Sequence, residues 1–499
     1  MNRLAGSRAG RWLSAVLGAF ALGCAVSFSA SWPPSVALMW ALAAAGCALA
    51  AAAISVRWCA AVLVLGAAIP LGMLRGASQV VPPGPGSIDG NFGARPVVLL
   101  GTVRSADPGT ESTAIVDATH LSDADSDRIV TGGVLVSGPL VPALLPGDAV
   151  EIDAAGLRPL DRRPGPDSAT TLEREGVQGM ASSPQVFVLR AGAPSLSRTV
   201  AWVQGQLAAS VDRSLPEPAA ALVLGIAFGI RQPLTADVRA PLQDAGLIHI
   251  VVVSGLKVVL VLGLAGALAR VFEWSRRRTA LFALPLVVGY VLVSGAGPAA
   301  IRSALMAGAT LLAATGARRT DPLPMLSLAA ALMLGISPAL VEDPGFQLSF
   351  LGTAGIVLLA APIAARLPGP RLLVEPFAVT VAAQLATLPV MAGTFGVIAL
   401  GGPIANALVL PLLPVMIVAG GSGAILGALH PALGWLPLQL AGLGTSAITT
   451  VARAITAVPG AALQVADWLV SWTIAESAGL LAVLTVLALN ARAVRAAPR

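Results

Sequence analysis

Residues 376–452 carry no formal charge at neutral pH. A segment of that length cannot clothe a soluble domain, whose surface needs charged and polar side chains. A hydrocarbon core about 30 Å thick takes up roughly 20 apolar residues per helix, so the segment has room for about three passes. Other apolar runs of spanning length lie at 12–30, 36–56, 58–74, 245–269, 279–297, 301–316, 322–341, 345–365 and 474–489. Composition agrees, with 56% hydrophobic and 11% charged residues and a mean hydropathy of +0.83. The expected fold class is a membrane all-α, polytopic helical bundle of about 10–12 transmembrane helices. Arg3, Arg8 and Arg11 before the first run resemble a secretory leader, but two further apolar runs follow at once, so all three read as spans. Cys24, Cys47 and Cys59 fall inside these runs and read as packing thiols, not as a disulfide framework.

Arginine supplies 30 of the 31 cations, and its placement predicts orientation. With about twelve spans, Arg57, Arg276 to Arg278, Arg318, Arg319, Arg366, Arg371, Arg492, Arg495 and Arg499 all fall on one side, which the positive-inside rule makes cytoplasmic. Both termini then face the cytoplasm of a multi-pass protein of the cell membrane. Residues 435–458 fit an interfacial helix and a span equally, because Ile448, Val451, Ile455 and Val458 form a stripe opposite Thr445, Thr449, Arg453 and Thr456.

The character changes after a Pro/Gly-rich linker at 80–86. Strands are expected at 97–103, 112–119, 128–136, 148–154 and 185–189, a pattern that predicts an inserted, extracytoplasmic, five-stranded OB-like β-barrel. Between Arg95 and Arg190 this region holds 8 arginines against 13 acids, and Phe187 is its one aromatic residue. Such a surface lacks the basic groove and stacking rings that bind single strands. Residues 196–244 read as amphipathic interfacial helices. The domain plan is therefore N-terminal transmembrane helices over 1–79, the OB-like domain over 80–195, interfacial helices over 196–244 and a second transmembrane domain over 245–499.

Ionisable groups at membrane depth are costly and point to function. On a continuous helix His249, Ser254 and Lys257 share one side, a polar lining for a polar or polyanionic solute. Arg302 follows the helix breaker Gly295-Ala296-Gly297-Pro298, with Glu342 or Asp343 as a structural carboxylate partner. Gln347, Ser349, Gln384, Thr387 and Asn406 are uncharged hydrogen-bonding groups inside spans. His120, His249 and His430 are too scattered for a metal cluster, and with Lys257 the single lysine no phosphate-binding loop can be written. No catalytic residue, metal or cofactor is expected, and any nucleotide must be consumed by a partner.

Four ordered blocks carry a family resemblance. Residues 245–256, AGLIHIVVVSGL, are followed by 301–306, IRSALM, by 343–350, DPGFQLSF, and by 384–389, QLATLP, with Phe395-Gly396, Asn406 and Pro411 beyond. This series resembles the ComEC-type competence proteins, and Leu145-Pro146-Gly147-Asp148 with Glu175-Gly176-Val177-Gln178-Gly179 resembles that family's OB-like domain. The resemblance implies an inner-membrane channel that translocates single-stranded DNA into the cytoplasm during natural transformation. His249, Ser254, Gly255, Lys257, Arg302, Gln347, Ser349, Gln384 and Asn406 are the candidates for the pore and DNA path. Implied partners are single-stranded DNA, membrane lipid, a separate cytoplasmic motor ATPase, an extracytoplasmic DNA receptor and a separate nuclease, since this chain resembles a form lacking the β-lactamase-like domain. The family's second histidine after SGL is replaced here by Lys257. Two rival readings stand beside this one: a secondary transporter for a small polar solute, and an intramembrane enzyme with His249 as base and Ser254 as nucleophile.

Overall fold

The computed structural model describes Ile88, Gly93 and residues 96–106, 112–123, 127–138, 144–160, 176–181, 184–230, 232, 234–251, 255–315 and 321–464. The expected spans at 12–30, 36–56, 58–74 and 474–489, and Ser254, lie outside them.

All five expected strands form: β1 (Val97–Ala106), β2 (Ser112–Ser122), β3 (Asp127–Gly138), β4 (Ala149–Ala154) and, last of the group, Gln185–Arg190. Between β4 and that last strand lie two more, β5 (Leu157–Pro159) and β6 (Val177–Ala181), which makes Gln185–Arg190 β7. The expected five-stranded barrel is thus corrected to a seven-stranded mixed sheet in the order β5-β6-β3-β2-β1-β4-β7. Its edges, β5 and β7, do not pair, so the sheet is not closed. The physical reason lies in β6, which pairs parallel to β3 and extends that flank outward, with β5 beyond it. Sequence pattern hides both strands: Val177-Gln178-Gly179-Met180-Ala181 has one β-branched residue and a glycine, and β5 has three residues ending in proline. Alternation puts Leu99, Val103, Val116, Val134, Val150 and Ile152 into one core, while Phe187 is 50% exposed on edge strand β7.

A turn of the sheet domain is tied to the first helix among the described residues, α1 (Leu196–Asp212). Asp148, 3% exposed, accepts hydrogen bonds from the Leu145 N–H (3.0 Å), the Gly192 N–H (2.9 Å) and Arg198 Nη1 (2.5 Å). Burial raises the pKa of this carboxyl, but the Gly192 N–H, the Arg198 guanidinium and the Leu145 N–H together outweigh it and hold the group below its usual range. A depressed folded pKa means stability present above the ordinary carboxylate pKa and lost as pH falls through the folded value. Asp148→Ala should therefore cost on the order of 3 kcal/mol near neutral pH and remove part of the acid-dependent loss of stability. Unfolding of wild type and variant followed between neutral and acid pH checks both expectations.

The remaining helices are α2 (Ala219–Phe228), α3 (Ala236–Asp244), α4 (Ile248–Val251), α5 (Gly255–Val271), α6 (Arg276–Val293), α7 (Pro298–Thr315), α8 (Pro322–Ile336), α9 (Pro344–Ala364), α10 (Arg371–Phe395), α11 (Gly402–Val409), α12 (Leu413–Leu429) and α13 (Pro431–Thr456). Short strands β8 (Val397–Ala399) and β9 (Ala462–Gln464) pair antiparallel. Three helices among the described residues are long and apolar enough to cross a membrane: Pro344–Ala364, Val374–Thr394 and Gly402–Leu429. That is fewer than the 10–12 expected, beyond the four runs that lie outside the described residues. Apolar runs do not map one to one onto helices. α6 opens on three arginines, and α8 is only 15 residues long.

Two packed groups make the helical part. One joins α5, α6 and α7 around Val258, Val287 and Ala300, and continues through α8 and α9 around Met333, Phe346 and Phe350. The other gathers α1, α2, α3, α4, α11, α12 and α13. Within it α2, expected at the membrane surface, is buried continuously from Ala220 to Phe228, as suits a short helix that is apolar on every side. Along α13 the stripe Gly434, Leu438, Ala441, Thr445, Ile448 and Ala452 faces inward, so Thr445 belongs to the buried face and not the polar one. Its outer face is apolar from Leu433 to Leu443 and polar beyond, at Thr449, Thr450 and Arg453. Gly434 packs on Gly427 of α12 so closely that a Cβ would lie 2.5 Å from the Gly427 Cα, the small-residue contact of helices in lipid.

Candidate functional site

The candidate residues gather where helices stop inside the bundle. α2 ends at Gly229 (φ +76°), the chain turns between α3 and α4 at Gly246 (φ +69°), and α10 ends at Gly396 (φ +67°). His249 lies in α4 and Lys257 in α5, and residues 252–254, through which the expected continuous helix would run, lie outside the described residues.

Arg302 forms the first cluster. It is 8% exposed on α7, with Nε donating to Ser349 Oγ of α9 (2.7 Å) and Nη2 to Ser303 Oγ (3.1 Å). Nη1 approaches the Met306 sulfur at 3.4 Å, and the guanidinium carbon lies 5.9 Å from the Phe350 ring centre. No carboxylate lies within 4 Å among the described side chains, and Asp343 instead caps α9, accepting from the Phe346 N–H at 2.7 Å. Hydroxyls, a thioether and a ring hold the guanidinium without neutralising it, so its charge stays available to an anion. Gly255 belongs to the same cluster, because a Cβ there would lie 2.4 Å from Ser303 Oγ and 2.8 Å from Arg302 Nη2. Gln347 sits half a turn before Ser349 on α9 and donates to the Val341 carbonyl at 2.8 Å.

The second cluster surrounds the return of the chain after α10. Gln384 Nε2 donates to the Ala399 carbonyl of β8 (2.5 Å) and lies beside Gly402, the first residue of α11. A Cβ on Gly246, whose φ of +69° turns α3 into α4, would lie 3.0 Å from the Ala399 Cβ and 3.5 Å from the Gly402 Cα. His249 is exposed and its Nδ1 bonds the Gly246 carbonyl at 2.9 Å. A carbonyl only accepts, so Nδ1 carries a proton and donates it to that bond. Asn406 of α11 is 8% exposed, and its Oδ1 has no hydrogen-bond partner among the described residues. Irregular backbone at 396–402 and 245–247, bonded by an amide side chain, is the arrangement that persists at membrane depth only inside protein or along a cavity.

Lys257 stands apart from both. It is 1% exposed and its Nζ donates to the Gly225 carbonyl of α2 at 2.5 Å. The structure thus brings Gly255, Arg302 and Ser349 together, groups His249 with Gln384 through Gly246 and Ala399, and directs Lys257 to α2. Sequence reading missed three participants. Ser303 adjoins Arg302, and Phe350 adjoins Ser349. Tyr290 is the only tyrosine of the chain, and its hydroxyl donates to the Ala227 carbonyl at 3.0 Å. A lone hydroxyl in an apolar run was the signal for Tyr290.

Comparison with known proteins places these clusters inside one matched region. The family model described as "Competence protein" matches residues 226–491, which covers both clusters and Lys257. ComE operon protein 3 of Bacillus subtilis (strain 168) is 27% identical over 224 residues, 44% of this chain and 28% of that relative, so the chain spans well under two thirds of the protein it resembles. No solved structure matches. A family model that covers more than half of the sequence and every described candidate residue decides the assignment: the chain belongs to the competence protein family.

Proposed function

We propose that this protein takes part in DNA uptake, passing single-stranded DNA through the cell membrane into the cytoplasm. The observation that carries the reading is Arg302, an intramembrane guanidinium engaged by neutral groups at the point where α5, α7 and α9 meet. A strand with one negative charge per nucleotide needs a wetted path of neutral or positive lining, and one uncompensated guanidinium at depth supplies attraction without a trap. His249, Gln347, Ser349 and Gln384, exposed or half-buried, are the neutral lining in this reading. Ser254 completes the set of candidates, while Gly255 sets the spacing of α5 and α7, and Lys257 and Asn406 stand behind the lining. The sheet domain lies outside the cell and the termini inside, from the arginine distribution. With its acidic balance the sheet is a structural insert or a docking surface for an extracytoplasmic receptor. Direction comes from a separate cytoplasmic motor ATPase, which must also work against the inside-negative membrane potential, and strand degradation from a separate nuclease.

The family relationship supports this reading over a transporter for a small solute. The backbone breaks at 245–247 and 396–402 are the one feature that favours the transporter, whose substrate sites sit at broken helices. Deleting the gene in a naturally competent host and following labelled DNA tests the proposal. Loss of internalised, nuclease-resistant label with surface binding retained is the expected result. Unchanged internalisation rejects it.

A further inference from the structure

The strongest unexplained feature is the buried ammonium at the end of α2. That helix is ten residues long and closed in by protein, so its last carbonyls have no water to bond. The Gly225 carbonyl takes the Gly229 N–H at 2.9 Å, and the Ala227 carbonyl takes the Tyr290 hydroxyl at 3.0 Å. α2 has no basic residue in its own last turn, so the negative end of its dipole must be met from elsewhere. Lys257 meets it, with Nζ 2.5 Å from the Gly225 oxygen. Packing seals the place: a Cβ on Gly225 would lie 2.6 Å from Val251 Cγ1. The carbonyl ends of broken helices are where membrane transporters hold a monovalent cation.

We propose that the carbonyl end of α2 is a monovalent-cation site permanently filled by the tethered ammonium of Lys257. On this view Lys257 does not line an aqueous path. It fixes α2 and α5 together, and it fills the place a coupling ion would need. The inference stands independently of DNA passage.

Lys257 is the only lysine, which makes the test clean. Reductive methylation of the intact, full-length protein in nanodiscs should modify Lys257 more than ~100-fold more slowly than free Nα-acetyl-lysine, because the reagent must wait for local opening. Denaturation should then make it reactive. Labelling at the rate of the free amine overturns the proposal. Lys257→Ala should melt several degrees below wild type and recover part of the difference with methylammonium, but not with tetramethylammonium at equal ionic strength. No differential recovery in a folded variant, or a Lys257→Met variant as stable as wild type, also overturns it. If the alanine variant does not fold, the labelling of wild type decides.

Discussion

Arg302→Gln should lower internalisation of labelled DNA by roughly ten- to a hundredfold, since a hydrogen bond to a charged group is worth about 1.5–3 kcal/mol. Glutamine can keep a bond to Ser349 or Ser303, so the loss isolates the charge. Arg302→Lys should fall between the two, because an ammonium keeps the charge but cannot span Ser349, Ser303 and the Phe350 ring at once. Transformation assays normalised to membrane-inserted protein check the order. A glutamine variant of full activity, or a lysine variant no better than glutamine, would remove Arg302 from the path and leave it a packing residue.

Gly255→Ala should be as damaging by a different route. In a free helix the exchange gains about 1 kcal/mol. Here the added methyl would stand 2.4 Å from Ser303 Oγ and 2.8 Å from Arg302 Nη2, and overpacking of this kind costs about 1–3 kcal/mol. The net expectation is lower stability together with a displaced guanidinium and impaired uptake. Ser303→Ala removes the nearer obstacle, since the Ser303 Cβ lies 3.6 Å away. The double variant should therefore recover part of the loss, a coupling that a double-mutant cycle on thermal stability measures. Strict additivity of the two changes would contradict the contact.

What the sequence made readable follows from physics that is local. Membrane character, strand positions β1 to β4 and β7, and the breaker before Arg302 all rest on composition, alternation and Gly/Pro placement. The parallel partner β6 was hidden because its pairing with β3 is non-local and its residues are weak strand formers. For the site, residue types were readable and partners were not. Arg302 bonds hydroxyls 1 and 47 residues away, and Asp343, one of the two carboxylates expected beside it, caps α9. Lys257 answers a carbonyl 32 residues away, on a helix whose burial no periodicity announces.

The central claim is that the bundle offers single-stranded DNA a wetted path past Arg302. Purified protein in liposomes, with a potassium diffusion potential positive inside, should admit a fluorescent single-stranded oligonucleotide to the nuclease-protected lumen. Admission should fall as salt rises from low to physiological concentration, as phosphate contacts require. It should also fall in the Arg302→Gln variant. Lumenal signal no greater than in empty liposomes, at both salt concentrations and under the imposed potential, would contradict the account.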